Sequence, residues 1–234
     1  MNFTDPNETL DEISKTINDL SSFTKTSLEN IKKLQHDLVE QTEKMLLLSE
    51  GQEKFFIGMI DIIGSTKTCS SLNDVEMTNY YQIFINSMSD VISKYDAVIP
   101  KNIGDSMIFY FSVKNNDEFQ TGLDCINCCL DLQREHSLLE TRLKEKKLPK
   151  IDFRISATFG TAKLAKTSTS SIPDIFGATV NKCAKLNHIA KPNKIIIGRN
   201  YYNILKNNGF SFEEQVLETN DFTYTGYHIT EKIN

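Results

Sequence analysis

No stretch of these 234 residues is apolar for long enough to cross a membrane. The longest runs, around FFIGMIDIIG and KIIIG, fall well short of the roughly 20 residues a spanning helix needs. The N-terminus, MNFTDPNETLDE, lacks the basic and apolar blocks of a signal peptide, so a cytoplasmic location is expected. Nor is there an excess of base. Lys and Arg number 26 against 31 Asp and Glu, a net charge of -5, which argues against nucleic acid or an anionic membrane as partner. Cysteine is sparse and irregular, at positions 69, 125, 128, 129 and 183. The one CxxC, Cys125 and Cys128 in GLDCINCCLDLQ, has no second CxxC or nearby His to complete a zinc set. Those cysteines read as small apolar residues of a helix.

Glycine is missing from the first fifty residues, and Pro6 is the only proline there. That shift divides the chain into a segment 1–50 and a globular part 51–234. Steps of three and four residues through the first segment give Leu10, Ile13, Ile17, Leu20, Thr24, Ser27, Ile31, Leu34, Leu38, Gln41, Met45 and Leu48. Nine of these twelve are apolar, a heptad seam that predicts a long coiled-coil helix loosened at its middle by Thr24 and Ser27. The alternative is an amphipathic helix folded back on its own domain.

After residue 50, strands and helices alternate. FFIGMIDI reads as a strand, and residues 73–94 as a helix presenting Val75, Tyr80, Phe84, Met88 and Ile92. AVIPK and SMIFYFS form a strand pair joined at NIGD, followed by a helix over 117–146 ending in the solvated charge run RLKEKK. DFRISATFGTAKL is a long strand and AKTSTSSIPD a loop. GATVNKCAKLNHIA is a helix that turns Val180, Ala184 and Leu186, or Leu186 and Ile189, inward. KIIIG is a short buried strand, and FSFEEQVLE with FTYTGYHIT a closing hairpin. This order predicts an α/β sandwich with helices on one side of a mainly antiparallel sheet.

Two carboxylates stand out. Asp61 lies between Ile60 and Ile62 in an apolar strand, where a charge is costly unless a metal ion, a cation or a strand end meets it. Asp105 follows Gly104, which alone is a turn signal. If their strands are neighbours, however, the two carboxylates converge at one edge, an arrangement suited to two divalent ions and phosphoryl or nucleotidyl transfer.

The strings IDIIGST, KNIGDSM and DIFGATVNKCAKL, in this order and at these separations, resemble the signature regions of the class III nucleotidyl cyclases, and the resemblance covers about residues 53 to 231. It implies a ferredoxin-like α+β catalytic domain working as a head-to-tail homodimer, with active sites at the interface. It assigns Asp61, Asp105 and the backbone carbonyl of Ile62 to two metal ions, magnesium or manganese. Lys101 and Asp174 match the base-selecting positions, Asn181 the residue that orients the ribose, and Lys185 the position of an arginine that steadies the transferring phosphate. A Lys donates to adenine N1 and a carboxylate accepts from the exocyclic amine, so the expectation is an adenylate cyclase acting on ATP. Outside the resemblance, Lys101 and Asp174 read as solvated loop residues.

Two departures concern the triphosphate. Lys185 keeps the charge of the arginine but not its planar fork, so slower turnover is expected. The family commonly has a phosphate-binding lysine near the terminal hairpin, and here no Lys or Arg occurs between Lys206 and Lys232. The alternative is a catalytically weak or inactive dimeric module that binds nucleotide or a regulatory partner. In either case the heptads would join two chains and relay a signal from an upstream partner.

Overall fold

A computed structural model describes residues 29, 32–33, 47–48, 53–166, 172–218 and 223–232. The predicted coiled-coil segment therefore lies almost wholly outside the described residues. Glu29, Lys32 and Lys33 are helical and exposed, whereas Leu48, the last seam position, belongs to a two-residue strand, β1 (Leu47–Leu48), and not to a helix. Residues 167–171 of the Ser/Thr-rich loop are also outside.

The sheet is built around β2 (Glu53–Ile62), which pairs antiparallel with β4 (Ser106–Ser112) on one side and β5 (Phe153–Lys166) on the other. Burial on both faces explains its continuous apolar run. Phe56, Ile60 and Ile62 join the larger core, while Phe55, Ile57 and Met59 join a smaller one on the opposite face. Edge strand β3 (Val98–Ile103) pairs with β4, and β5 pairs in parallel with β7 (Ile195–Gly198). The hairpin β8 (Phe210–Glu218) and β9 (Thr223–Lys232) completes the order β3-β4-β2-β5-β7-β9-β8, and the short β6 (Asp174–Phe176) pairs along β5. The first four of these strands have the order of a ferredoxin-like βαββαβ unit.

After the short α1 (Ser65–Cys69), the larger core lies under α2 (Asp74–Ile92), α3 (Glu118–Arg134), α4 (His136–Glu145) and α6 (Arg199–Leu205). A capping box starts α2: Asn73 Oδ1 accepts from the Val75 and Glu76 amides, and Glu76 accepts from the Asn73 amide. Tyr80, Phe84, Met88 and Ile92 are buried as expected. Val75 is not, being 70% exposed in the first turn. The predicted helix over 117–146 is two helices, divided at Glu135.

Helix α5 (Ala178–Ile189) departs from the predicted one-sided arrangement. It packs on the face of β2 and β5 opposite the other helices, where Cys183 meets Phe55, Ile57 and Met59. Its inward residues are Thr179, Cys183, Leu186 and Asn187, a face polar enough to escape an apolar periodicity. Val180 and Ala184 are only half-buried at its margin. Asn187 ties this helix to two strands, donating to the carbonyls of Met59 and Arg154, both at 3.2 Å.

Gly58 is required by a close approach. A Cβ there would lie 2.1 Å from Cζ of Phe109, a ring that is fully buried on the neighbouring strand. Gly58→Ala is therefore expected to destabilise the domain by about 1–3 kcal/mol. The urea midpoint should fall at constant slope; an unchanged midpoint would mean that the Phe109 ring moves aside without penalty.

Candidate active site

Asp61 occupies the penultimate position of β2 and, with Phe55, Ile57 and Met59, belongs to the face covered by α5. Its cross-strand partners are Ser106 on β4 and Arg154 on β5. Both contact the carboxylate: the Ser106 hydroxyl donates to Oδ1, and Arg154 Nη2 donates to Oδ2 at 3.1 Å. Arg154 also donates through Nη1 to the carbonyl of His188, at the end of α5, at 2.9 Å. Its Nε is buried and has no hydrogen-bond partner among the described residues. The carboxylate is thus supported both by its place at a strand end and by a cation.

Asp105 lies in the turn between β3 and β4, one residue before the Ser106 that pairs with Asp61. The turn needs Gly104 at φ 61°, a left-handed conformation that glycine adopts without strain. The two aspartates therefore come from adjacent strand ends. Asp105 also adds to the burial that pushes the Tyr80 phenol up to about 12. Ile62 ends β2, with its backbone opposite Phe153. Among the described residues no three His, Cys, Asp or Glu side chains cluster. Two carboxylates and a carbonyl make a hard-oxygen partial set that suits magnesium or manganese, whose other positions go to water and phosphate oxygens.

The remaining predicted residues lie elsewhere. Asn181 and Lys185 are exposed on α5. Asn181 is seven residues before His188, so about 10 Å along the helix axis from the turn that touches Arg154, at 1.5 Å per residue. Lys185 Nζ donates to the Tyr224 hydroxyl at 2.6 Å and lies 4.7 Å from the centre of that ring, so Tyr224 of the terminal hairpin holds the ammonium by a hydrogen bond and a cation–π contact. Lys101 is placed by its backbone, opposite Ile108 in β3. Asp174 begins β6, half-buried, and its Oδ1 accepts from the Ile175 amide at 2.9 Å. Tyr110 reports the proximity of Asp174: burial first, and then that charge, raise its pKa.

Arg154 and Tyr224 were not singled out by the sequence. Arg154 had a legible sign, a cation inside the apolar string DFRISATF, but its pairing with Asp61 depends on the β2–β5 register. The cysteines of α3 are buried free thiols, and burial raises the pKa of Cys128, as expected of apolar helix residues.

The model of the adenylate and guanylate cyclase catalytic domain matches residues 48–221. The chain belongs to this family of class III nucleotidyl cyclase catalytic domains. Among curated proteins it is similar to a cytidylate cyclase of Escherichia coli, 25% identical over 151 residues, covering 60% of this chain and 33% of the relative. It is also similar to an adenylate cyclase of Streptomyces coelicolor, 21% identical over 165 residues, covering 70% and 35%. The chain thus spans about a third of the length of these relatives. Of solved structures, the adenylyl cyclase CyaB from P. aeruginosa superposes with a TM-score of 0.71 at 18% identity, covering 80% of this chain and 97% of that one. The guanylyl cyclase Cya2 superposes at 0.70 and 16%, covering 76% and 92%. These likenesses support the fold. No described helix is long and apolar enough to cross a membrane.

Proposed function

We propose that the protein is an adenylate cyclase, converting ATP to 3',5'-cyclic AMP and pyrophosphate at a site shared by two copies of the chain. The observation that carries this is the position of Asp61 and Asp105 at neighbouring strand ends, with a cation beside Asp61. In the reaction the ribose 3'-oxygen forms a bond to the α-phosphorus, the bond from that phosphorus to the β-phosphate bridging oxygen breaks, and the 3'-hydroxyl proton is released. Asp61, Asp105 and the Ile62 carbonyl would hold the divalent ions, which supply Lewis acidity at the attacking and leaving oxygens. Asn181 and Lys185 come from the second copy, as in the head-to-tail arrangement that the resemblance implies. Asn181 holds the ribose in line. Lys185, positioned by Tyr224, places a compact positive charge against the transferring phosphate. Side chains contribute positioning and charge rather than covalent chemistry.

Lys101 and Asp174 read the base as a donor and an acceptor. Adenine offers N1 as acceptor and its amino group as donor. Cytosine offers the same pattern at N3 and its amino group, whereas guanine and uracil present the reverse. A cytidylate cyclase is therefore the second reading, and it is favoured by the similarity to cytidylate cyclases of Escherichia coli and Staphylococcus aureus, each 25% identical.

Incubation of the purified protein with each of ATP, CTP, GTP and UTP, under magnesium and manganese, tests both readings. Cyclic AMP is the expected main product; a predominance of cyclic CMP would select the second reading. Absence of any cyclic nucleotide would overturn both in favour of an inactive dimeric module. Lys101→Glu combined with Asp174→Cys should lower the use of ATP relative to GTP by about 5- to 150-fold, the range given by one buried polar group left unpaired. An unchanged ratio would remove both residues from the base pocket.

A further inference from the structure

We propose that a cleft on the β9 side of α5 binds a condensed phosphate, a group of two or three linked phosphates. The cleft has a volume of about 450 Å³, more than a single phosphate needs and within the range of small-molecule sites. Two cations line it, Lys182 from the second turn of α5 and Arg199 from the first position of α6. None of its eleven described lining residues is acidic, on a chain whose net charge is -5. Among the described residues positive charge is concentrated here without a counter-carboxylate, and like charges in one concavity repel unless an anion joins them.

The donors available agree with this. Among the described residues Lys182 makes no hydrogen bond or ion pair, so its three N–H groups are uncommitted. Arg199 is anchored by one contact, Nη2 to the Thr225 hydroxyl at 3.2 Å, which fixes the guanidinium against β9 and leaves its other donors. Asn200 uses one amide hydrogen on the Phe159 carbonyl at 3.4 Å and keeps the second. The hydroxyls of Thr158 and Thr179 instead donate to backbone carbonyls and serve as wall. A second cleft of about 400 Å³ shares Thr179, Lys182 and Asn200 and brings in Lys163, so Lys182 stands at a junction with a cation on each side. A row of three cations suits an extended polyanion better than a carboxylate or a single phosphate.

The anion has two possible sources of the same chemistry. One is the pyrophosphate end of the nucleotide, reached past Lys185, one turn along α5 from Lys182. This source rests on the cyclase reading. The other is free pyrophosphate or tripolyphosphate, which does not.

Calorimetric titration of the full chain with sodium pyrophosphate decides whether the site exists, with no need for activity. Wild type should bind, Lys182→Ala and Arg199→Ala should each weaken binding about tenfold or more, and Lys182→Arg should keep it within about threefold. Both side chains are exposed, so the melting temperature should not change. No binding to wild type, or equal binding to wild type and both alanine variants, overturns the proposal. Inhibition of cyclic-nucleotide formation then separates the sources. Pyrophosphate that competes with the nucleotide, and loses potency in the variants, identifies the substrate's own phosphate end; non-competitive inhibition with the same loss identifies a free effector. If the wild type makes no cyclic nucleotide, the cyclase reading fails while the titration still answers for the cleft.

Discussion

Asp61→Asn is expected to reduce cyclic-nucleotide formation by at least about 100-fold, the scale reached when one group that stabilises developing charge is removed, and also to destabilise the domain. The two effects have separate causes. Asparagine keeps the shape of the side chain and can still accept from Ser106, but it withdraws the charge that faces Arg154 at 3.1 Å. The two side chains are only 19% and 18% exposed, and Arg154 Nε already lacks a partner among the described residues. Removing one member of a fully buried pair costs about 3–5 kcal/mol, so for this pair at a partly open strand end about 2 kcal/mol is expected. For a domain of this size that corresponds to a fall in melting temperature of roughly 4–8 °C. Adding Arg154→Met removes the unpaired cation and should restore most of the lost stability without restoring activity. Recovery of activity in the double variant would reduce Asp61 to a structural counter-ion and remove it from the reaction.

That experiment also marks how much of the site was legible in the sequence. Asp61 was visible because a carboxylate between two isoleucines is expensive, and Asp105 became more than a turn residue once its strand was placed beside β2. The identity of the compensating cation was not visible: Arg154 is 93 positions from Asp61, and only the register of β2 against β5 makes them neighbours. The same limit hid Tyr224, whose contact with Lys185 joins the last strand to α5.

Strand and helix types were legible where burial is apolar and periodic, as in β2, α2 and β5. They were less so where burial is polar. The inward face of α5 carries Thr179, Cys183 and Asn187, so apolar spacing pointed to Val180 and Ala184, which lie only at the margin. The short β6 and α6 have too few residues to show a period. The placement of α5 on the opposite face followed from no local pattern; it depends on which face of β2 the chain has already covered.

Equal amounts of Asp61→Asn and Asn181→Ala, each inactive alone, are expected on mixing to recover about a quarter of wild-type activity. The figure follows from two sites per head-to-tail dimer: random exchange makes half the dimers mixed, and each mixed dimer has one site with both residues intact. Asn181 suits this test because its side chain is exposed on α5, and its backbone amide, which the substitution leaves in place, bonds to the Gly177 carbonyl. Alanine should therefore leave the helix unchanged and remove only what the amide side chain does for a bound nucleotide. Asp61→Asn is the less stable partner, so the mixture should be assayed below its melting temperature, and exchange should be verified with two differently tagged chains. Recovery under those conditions requires that Asp61 and Asn181 act across two copies. No recovery after demonstrated exchange would place both residues in a site built by one chain and would overturn the shared-site reading.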